Sequence, residues 1–260
     1  TYNLKLLTLY KNLLEINNVS FVRSGRYNLK DVSLSMKQGQ NWIILGKNGS
    51  GKTTLINLIF GFLWPTTGSV KLFGKTYGDY PIREIQSKIG ILQNSYQDER
   101  IQKSLSVRDI IATGLLNSIG IYSDLSSSQN EKINSLIKRN LWIKDPDQNY
   151  GLLSSGEKKK VLLLRALISN PEILILDEPC SSLDLSGRED FFTLLETYKL
   201  SGQCIILITH RADEIPDYFN YALLLKDGEI IASGLKKEIF TSSNLSNTYG
   251  IKVEVIEKKG

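Results

Sequence analysis

Two cysteines and one histidine in 260 residues leave this chain without the Cys/His spacing that a zinc cluster or a disulfide framework requires. Cys180 and Cys204 each adjoin an apolar segment and read as free buried thiols of a reducing compartment. No apolar run approaches the roughly 18 residues that cross a bilayer as a helix. The longest, Leu55 to Trp64, is broken by Asn57 and Gly61. The opening Thr-Tyr-Asn-Leu-Lys-Leu-Leu lacks the continuous apolar core and small-residue cleavage site of a secretory signal. A net charge of +5 is spread thinly, with no arginine-rich stripe interleaved with aromatics, so no nucleic-acid partner is expected. Lys158–Lys160 and Lys236–Lys237 read as solvated helix faces. Internal repeats are also missing.

What is present is a sequence of strands and helices that changes character along the chain. Leu14–Phe21 and Val32–Met36 alternate apolar and polar residues, the pattern of half-buried antiparallel strands. Trp42–Leu45, Ile173–Leu176 and Cys204–Ile208 are instead continuous apolar runs, as parallel strands buried on both faces are. Helical periods over Glu157–Ile168 and Arg188–Tyr198 lie between them, predicting a parallel sheet covered by helices with an antiparallel layer to one side. From about Asn94 to Gly151 the chain turns polar and helical. Ser106-Val-Arg-Asp109 resembles a capping box opening one helix, and a second starts near Ser127 and runs through Leu141. The expected division is 1–93 for an antiparallel β subdomain with the first part of a nucleotide-binding core, 94–152 for an inserted helical subdomain, 153–245 for the rest of the core, and 246–260 for a C-terminal tail. Asp227-Gly228 reads as a hairpin turn, and Lys252–Glu257 as one last edge strand.

The most informative segment is Gly46-Lys47-Asn48-Gly49-Ser50-Gly51-Lys52-Thr53, which fits G-x-x-x-x-G-K-[ST]. Its glycines let the backbone curl until N–H groups face phosphate oxygens; Lys52 adds a point charge and Thr53 a hydroxyl for Mg²⁺. It follows an apolar run and opens the helical stretch Thr54–Phe60, the strand–loop–helix setting the motif requires. Asp177, ending the apolar run Ile173–Leu176 next to the loop that follows a neighbouring strand, can hold Mg²⁺. Glu178 follows directly and can polarise an attacking water. Ser154, Ser155 and Gly156 open a helix whose unpaired N–H groups form a second anion site. Two such helix starts are two halves of a site, which a second copy of the chain can complete.

From about Leu14 to Phe240 the sequence resembles the ATP-binding cassette (ABC) ATPases. Gly46–Thr53 stands as the family's Walker A and Ile173–Glu178 as its Walker B. Ser181–Asp184 stands as its D-loop, and Leu153–Glu157 as its signature, with Ser155 and Glu157 replacing Gly and Gln. The resemblance makes Gln93 the Q-loop glutamine that contacts metal and water, and His210, the only histidine, the switch histidine that positions the γ-phosphate. It implies the α/β ABC ATPase (P-loop NTPase) fold with an antiparallel β subdomain and a helical insertion, and ATP hydrolysis with Mg²⁺. Gly46 to Thr53, Thr54, Arg23, Ser154, Ser155 and Gly156 are the implied nucleotide contacts; Thr53, Gln93 and Asp177 the metal contacts; Glu178, His210, Gln93 and Lys52 the catalytic set. The family has an aromatic residue stacked on adenine where this chain has Arg23, whose guanidinium can also stack; Tyr27 is the alternative. The family working unit further implies a homodimer sandwiching two ATP molecules. A separate transmembrane permease would hold it on the cytoplasmic face of the membrane and select the cargo. Bacterial import of a small solute or metal complex is favoured over export. A soluble ATPase without a permease is the reading from a different class.

Overall fold

Strands of the two sequence types separate into two sheets in the computed structural model, which describes residues 12–93, 104–116, 118, 120, 124–199, 202–212 and 215–256. The alternating strands β1 (Leu14–Arg23) and β2 (Arg26–Met36) pair antiparallel, and with β4 (Thr67–Leu72) and β5 (Lys75–Thr76) make a four-stranded sheet in the order β2-β1-β4-β5. The apolar strands β3 (Asn41–Leu45), β6 (Ile89–Gln93), β7 (Ile173–Asp177) and β8 (Cys204–Thr209) join β9 (Tyr221–Lys226) and β10 (Glu229–Leu235) in a six-stranded sheet ordered β10-β9-β3-β8-β7-β6. All neighbours in it pair parallel except β10, which returns antiparallel on β9 through the Asp227-Gly228 turn.

Side chains alternate across each strand, and that alternation divides the interior into two cores. Ile173 and Ile175 of β7, with Trp42 and Ile44 of β3, face the antiparallel sheet and α1 (Lys52–Phe60), which lies between the sheets. Leu174 and Leu176, with Ile43 and Leu45, face the opposite way, toward α3 (Val107–Leu116), α5 (Ser155–Leu167) and α6 (Leu185–Tyr198). These leucines and isoleucines are fully buried, each stabilising the fold by roughly 1.5–3 kcal/mol. The short α2 (Ile82–Gln86) and the longer α4 (Ser127–Arg139) complete the middle of the chain, and a short α7 (Lys236–Ile239) follows β10. Cys180 and Cys204 are both buried free thiols, as expected.

The structure corrects the sequence reading in four places. β8 stands between β3 and β7, so Asp177 does not neighbour the strand that carries the phosphate loop; it is two places away. The second inserted helix stops at Arg139 and leaves Leu141 81% exposed, because Asn140 turns its side chain back onto the Leu136 carbonyl at 2.8 Å. Ser106 caps α3 through Asp109 N–H at 3.1 Å, but the reciprocal boxes sit at Ser126–Gln129 and Ser154–Glu157. Residues 252–256 form no strand. They fold over α8 (Ser242–Tyr249), where the Ser246 hydroxyl accepts from Val253 N–H at 2.9 Å and Ser242 from Val255 N–H at 3.0 Å. Asn94–Lys103, part of the expected insertion, lies outside the described residues.

Close approach of α3 to α5 fixes the helical layer against the sheet. A Cβ on Gly114 would overlap the Arg165 carbonyl oxygen and come within 2.9 Å of Ile168. Arg165 in turn ties α3 down, donating to the Thr113 hydroxyl at 2.8 Å and the Ser118 carbonyl at 2.9 Å. Alanine at 114 favours the helix itself by up to about 1 kcal/mol, yet it forces two backbones apart. Gly114→Ala is therefore expected to destabilise the protein by about 1–3 kcal/mol in chemical denaturation; an unchanged or raised midpoint would show that the helices are not in contact there.

Candidate active site

Strands paired in register end at one level, and the sheet places its polar residues there. Leu45 of β3 lies beside Thr209 of β8, and Gln93 of β6 beside Asp177 of β7. The phosphate loop follows β3, His210 follows β8 and Glu178 follows β7. Clefts at the carboxyl ends of parallel strands are where open α/β sheets bind ligands.

The loop is shaped by glycines that no other residue replaces cheaply. Gly51, the N-cap of α1, has φ 105°, and a Cβ on Gly46 would strike the Leu225 carbonyl and lie 2.5 Å from Ser50 Oγ. With no side-chain cap and no acidic residue in its first turn, α1 presents free N–H groups and a positive dipole end, the features of an anion site. Lys52 is buried, its ammonium held 2.8 Å from the Gly46 and Lys47 carbonyls. Burial lowers its pKa, with Glu178 and Asp177 acting against that shift. Ser50 Oγ is buried without a hydrogen-bond partner, an orphan that an anion seated in the loop can satisfy. Lys47, Asn48, Gly49 and Thr53 are exposed and Thr54 half-buried.

Facing the loop, Gln93 Nε2 lies 3.3 Å from Asp177 Oδ2 and 3.3 Å from Asn57 Oδ1 of α1. Asn57 escaped the sequence reading, although a lone amide inside an otherwise apolar helix was a usable signal. Glu178 adopts φ 48°, a left-handed conformation that costs a non-glycine residue of order 1 kcal/mol. Its N–H bonds the Ile208 carbonyl at 2.9 Å and its Oε1 approaches His210 Nδ1 at 3.2 Å. Lys52, Asp177, Glu178, Gln93 and His210 are thus drawn together from four strands.

Ser154, Ser155 and Gly156 belong to a different helix start, that of α5, and there the anion site is filled from within. Ser154 N–H and Oγ–H both donate to the Glu157 carboxylate, at 2.9 and 2.7 Å, while Ser154 Oγ accepts from Glu157 N–H at 3.3 Å. The Ser154 hydrogen bonds lower the pKa of Glu157. Leu183 of the Ser181–Asp184 segment packs beside Gly156, and Asp184 caps α6 through Gly187 N–H at 2.8 Å. At the remote edge, Arg23 and Arg26 face each other at the β1–β2 hairpin tip, with Tyr27 60% exposed opposite Val22. Asn28, next to Tyr27, brings its carbonyl to 2.6 Å from where a Gly51 Cβ would lie.

Burial raises the Asp177 pKa to about 6, with the Gln93 hydrogen bond opposing. A carboxyl whose folded pKa exceeds its unfolded value of about 4 binds extra protons when folded, so stability falls as pH rises between roughly 4 and 6. At neutral pH the ionised group is a net cost, at most about 3 kcal/mol for two units. Asp177→Asn keeps an acceptor for Gln93 without the charge. It should raise the thermal midpoint of the nucleotide-free protein at pH 7.5, and the gain should shrink as pH falls from about 6 to about 4. A gain independent of pH, or none, would contradict a buried charge.

The ABC transporter family profile matches residues 29–181. The chain is 36% identical over 248 residues to an uncharacterised ABC transporter ATP-binding protein, YlmA, of Bacillus subtilis, covering 94% of this chain and 93% of the relative. It is 31% identical over 214 residues to the zinc uptake system ATP-binding protein ZurA of Listeria monocytogenes, covering 82% of each. Its fold matches cbiO1 of Clostridium perfringens, part of the ABC transporter complex cbiONQ, with TM-score 0.76 and 29% identity over 92% of this chain and 94% of that one.

Proposed function

Because the chain belongs to the ABC transporter ATP-binding family, whose members hydrolyse ATP to power transport, we propose that it energises an importer of a small solute or metal ion through a separate membrane permease. The uptake role named for the Listeria relative supports import. The observation that carries the catalytic reading is the meeting of Glu178 and His210 at 3.2 Å, at the strand ends that also carry Lys52 and Asp177. No helix among the described residues is long and apolar enough to cross a membrane; in this reading the permease is a separate chain that holds the ATPase on its cytoplasmic side.

ATP seats its phosphates on the loop Gly46–Thr53 and the first turn of α1, with Thr54 N–H at the same helix start. Lys52 exchanges its two carbonyl contacts for phosphate oxygens. Arg23 or Tyr27 stacks on the base. Thr53, Gln93 and Asp177 offer hard oxygen donors suited to Mg²⁺, and the raised pKa of Asp177 marks a buried carboxylate that a cation relieves. When bound there, Mg²⁺ neutralises phosphate charge. Glu178 accepts the proton of the attacking water, and His210 holds both Glu178 and the γ-phosphate in line. Ser154 with the N–H groups of Ser155 and Gly156 then closes on the γ-phosphate held by a second copy of the chain.

Glu178→Gln keeps the shape of the side chain but accepts no proton. ATP binding should persist, turnover should fall by on the order of 10²–10⁴, and unhydrolysed ATP should hold a dimer in gel filtration. Hydrolysis at the parental rate would refute Glu178 as the base.

Closure also has to displace the carboxylate that already occupies Ser154. Glutamine at 157 preserves the helix cap and removes a like charge from the path of the γ-phosphate, an effect of about 1 kcal/mol in a solvated interface. In the Glu178→Gln background, Glu157→Gln is expected to tighten ATP-dependent dimerisation about fivefold per composite site, about thirtyfold for the two sites of the dimer, the difference fading at high salt. Weaker dimerisation would mean that Glu157 assists closure.

A further inference from the structure

The C-terminal helix reaches the catalytic loop. Tyr249, the last residue of α8, donates its hydroxyl to the His210 carbonyl oxygen at 3.2 Å, and it is partly buried against the core on the helical side of the sheet. His210 is the residue whose imidazole meets Glu178. The backbone there is held on its other side by the Thr209 hydroxyl, which accepts from Arg211 N–H at 3.1 Å. Just beyond Tyr249, Gly250 turns the chain at φ 59°, close enough to the phosphate loop that an added Cβ would lie 3.3 Å from Lys47 Nζ. The end of α8 therefore lies against both sides of the site.

Its placement is firm. Leu245 and Thr248 are buried, Thr241 caps the helix through Asn244 N–H at 3.1 Å, and Asn247 receives Lys226 Nζ at 3.1 Å from the end of β9. The segment after Gly250 folds back onto Ser246 and Ser242. Burial also raises the pKa of the Tyr249 phenol, which keeps it a donor at neutral pH.

We propose that Tyr249 is a positioning residue for ATP hydrolysis: its hydroxyl fixes the His210 main chain so that the imidazole stays aligned with Glu178 and the γ-phosphate. The inference rests on the reading of His210 given above. It makes the C-terminal helix part of the catalytic apparatus, acting on turnover and not on nucleotide affinity. Loss of one hydrogen bond of ordinary strength corresponds to about a fivefold change in an equilibrium or rate.

The test uses the full chain with Mg²⁺ and ATP, comparing Tyr249→Phe, His210→Ala and the double variant by steady-state kinetics, calorimetric ATP affinity and thermal melting. Tyr249→Phe is expected to lower kcat about fivefold, with KM, ATP affinity and Tm close to parental. His210→Ala should lose most turnover, and adding Tyr249→Phe to it should cause no further loss, because the hydroxyl acts through the imidazole. Parental kcat in Tyr249→Phe, a fall in Tm without a fall in kcat, or a further loss in the double variant would each overturn the role of Tyr249 while leaving His210 in place. Parental kcat in His210→Ala would instead overturn the reading of His210 on which the inference stands.

Discussion

Parallel strands buried on both faces keep their peptide groups paired to the last residue, because an orphaned N–H or carbonyl in a dry interior costs as much as a lost hydrogen bond. In this chain that requirement aligns β3, β8, β7 and β6 in strict register. The consequence is chemical. Polar residues kept out of the strand interiors appear together at the carboxyl ends, and this level carries the phosphate loop, His210, Glu178 and Gln93. A one-residue slip of β7 would turn Asp177 to the other face and exchange the two cores. Register therefore sets both the packing and the site.

The two anion-binding helix starts differ in how they satisfy themselves. α1 begins at Gly51 without a side-chain cap, whereas α5 begins with Ser154 and Glu157 locked in mutual hydrogen bonds. An uncapped start waits for a ligand; a capped start is already content. This difference gives an order to events. In the proposed mechanism nucleotide would meet the loop first with little competition, and the signature half would engage only when a phosphate offers more than the resident carboxylate. A chain with glutamine at 157 would have a weaker resident.

Much of this was legible from spacing. The strand–loop–helix around Lys52 and the run ending in Asp177 announce themselves because glycines and buried charge are costly unless something requires them. The helices opening near 127 and 155 were visible from the apolar periods that follow, and the hairpin at Asp227-Gly228 from its dipeptide; the capping boxes that close both helix starts were not. What sequence did not reveal depends on contacts distant along the chain. That β8 separates β3 from β7 is a matter of strand order, to which local pattern is blind. The alternation in 252–256 promised a strand, but its N–H groups found serine hydroxyls on α8 instead of a sheet edge. Leu141 continued the helical period, yet Asn140 ended the helix by bonding its own turn. Tyr249 gave no sign, because a tyrosine at a helix end is ordinary until its hydroxyl is seen on His210.

Several costs are concentrated at this one edge of the sheet. Glu178 is held at positive φ, Ser50 Oγ is buried without a partner, and Asp177 carries a charge that burial resists. None of these helps the ligand-free chain to fold, and each is of order a kcal/mol or more. They persist because the two cores around them over-determine the backbone, as fully buried residues on both faces of the sheet do. Phosphate and a divalent cation bound as proposed would relieve two of the three, giving the orphan hydroxyl an acceptor and the carboxylate a counter-charge. Ligand binding and stability are then linked by mass action, and the nucleotide-loaded chain is the form in which the sequence has its fewest unresolved conflicts. The positive φ of Glu178 is the one cost that such binding would leave in place, consistent with the role proposed for it as a base that acts on the ligand and does not hold it.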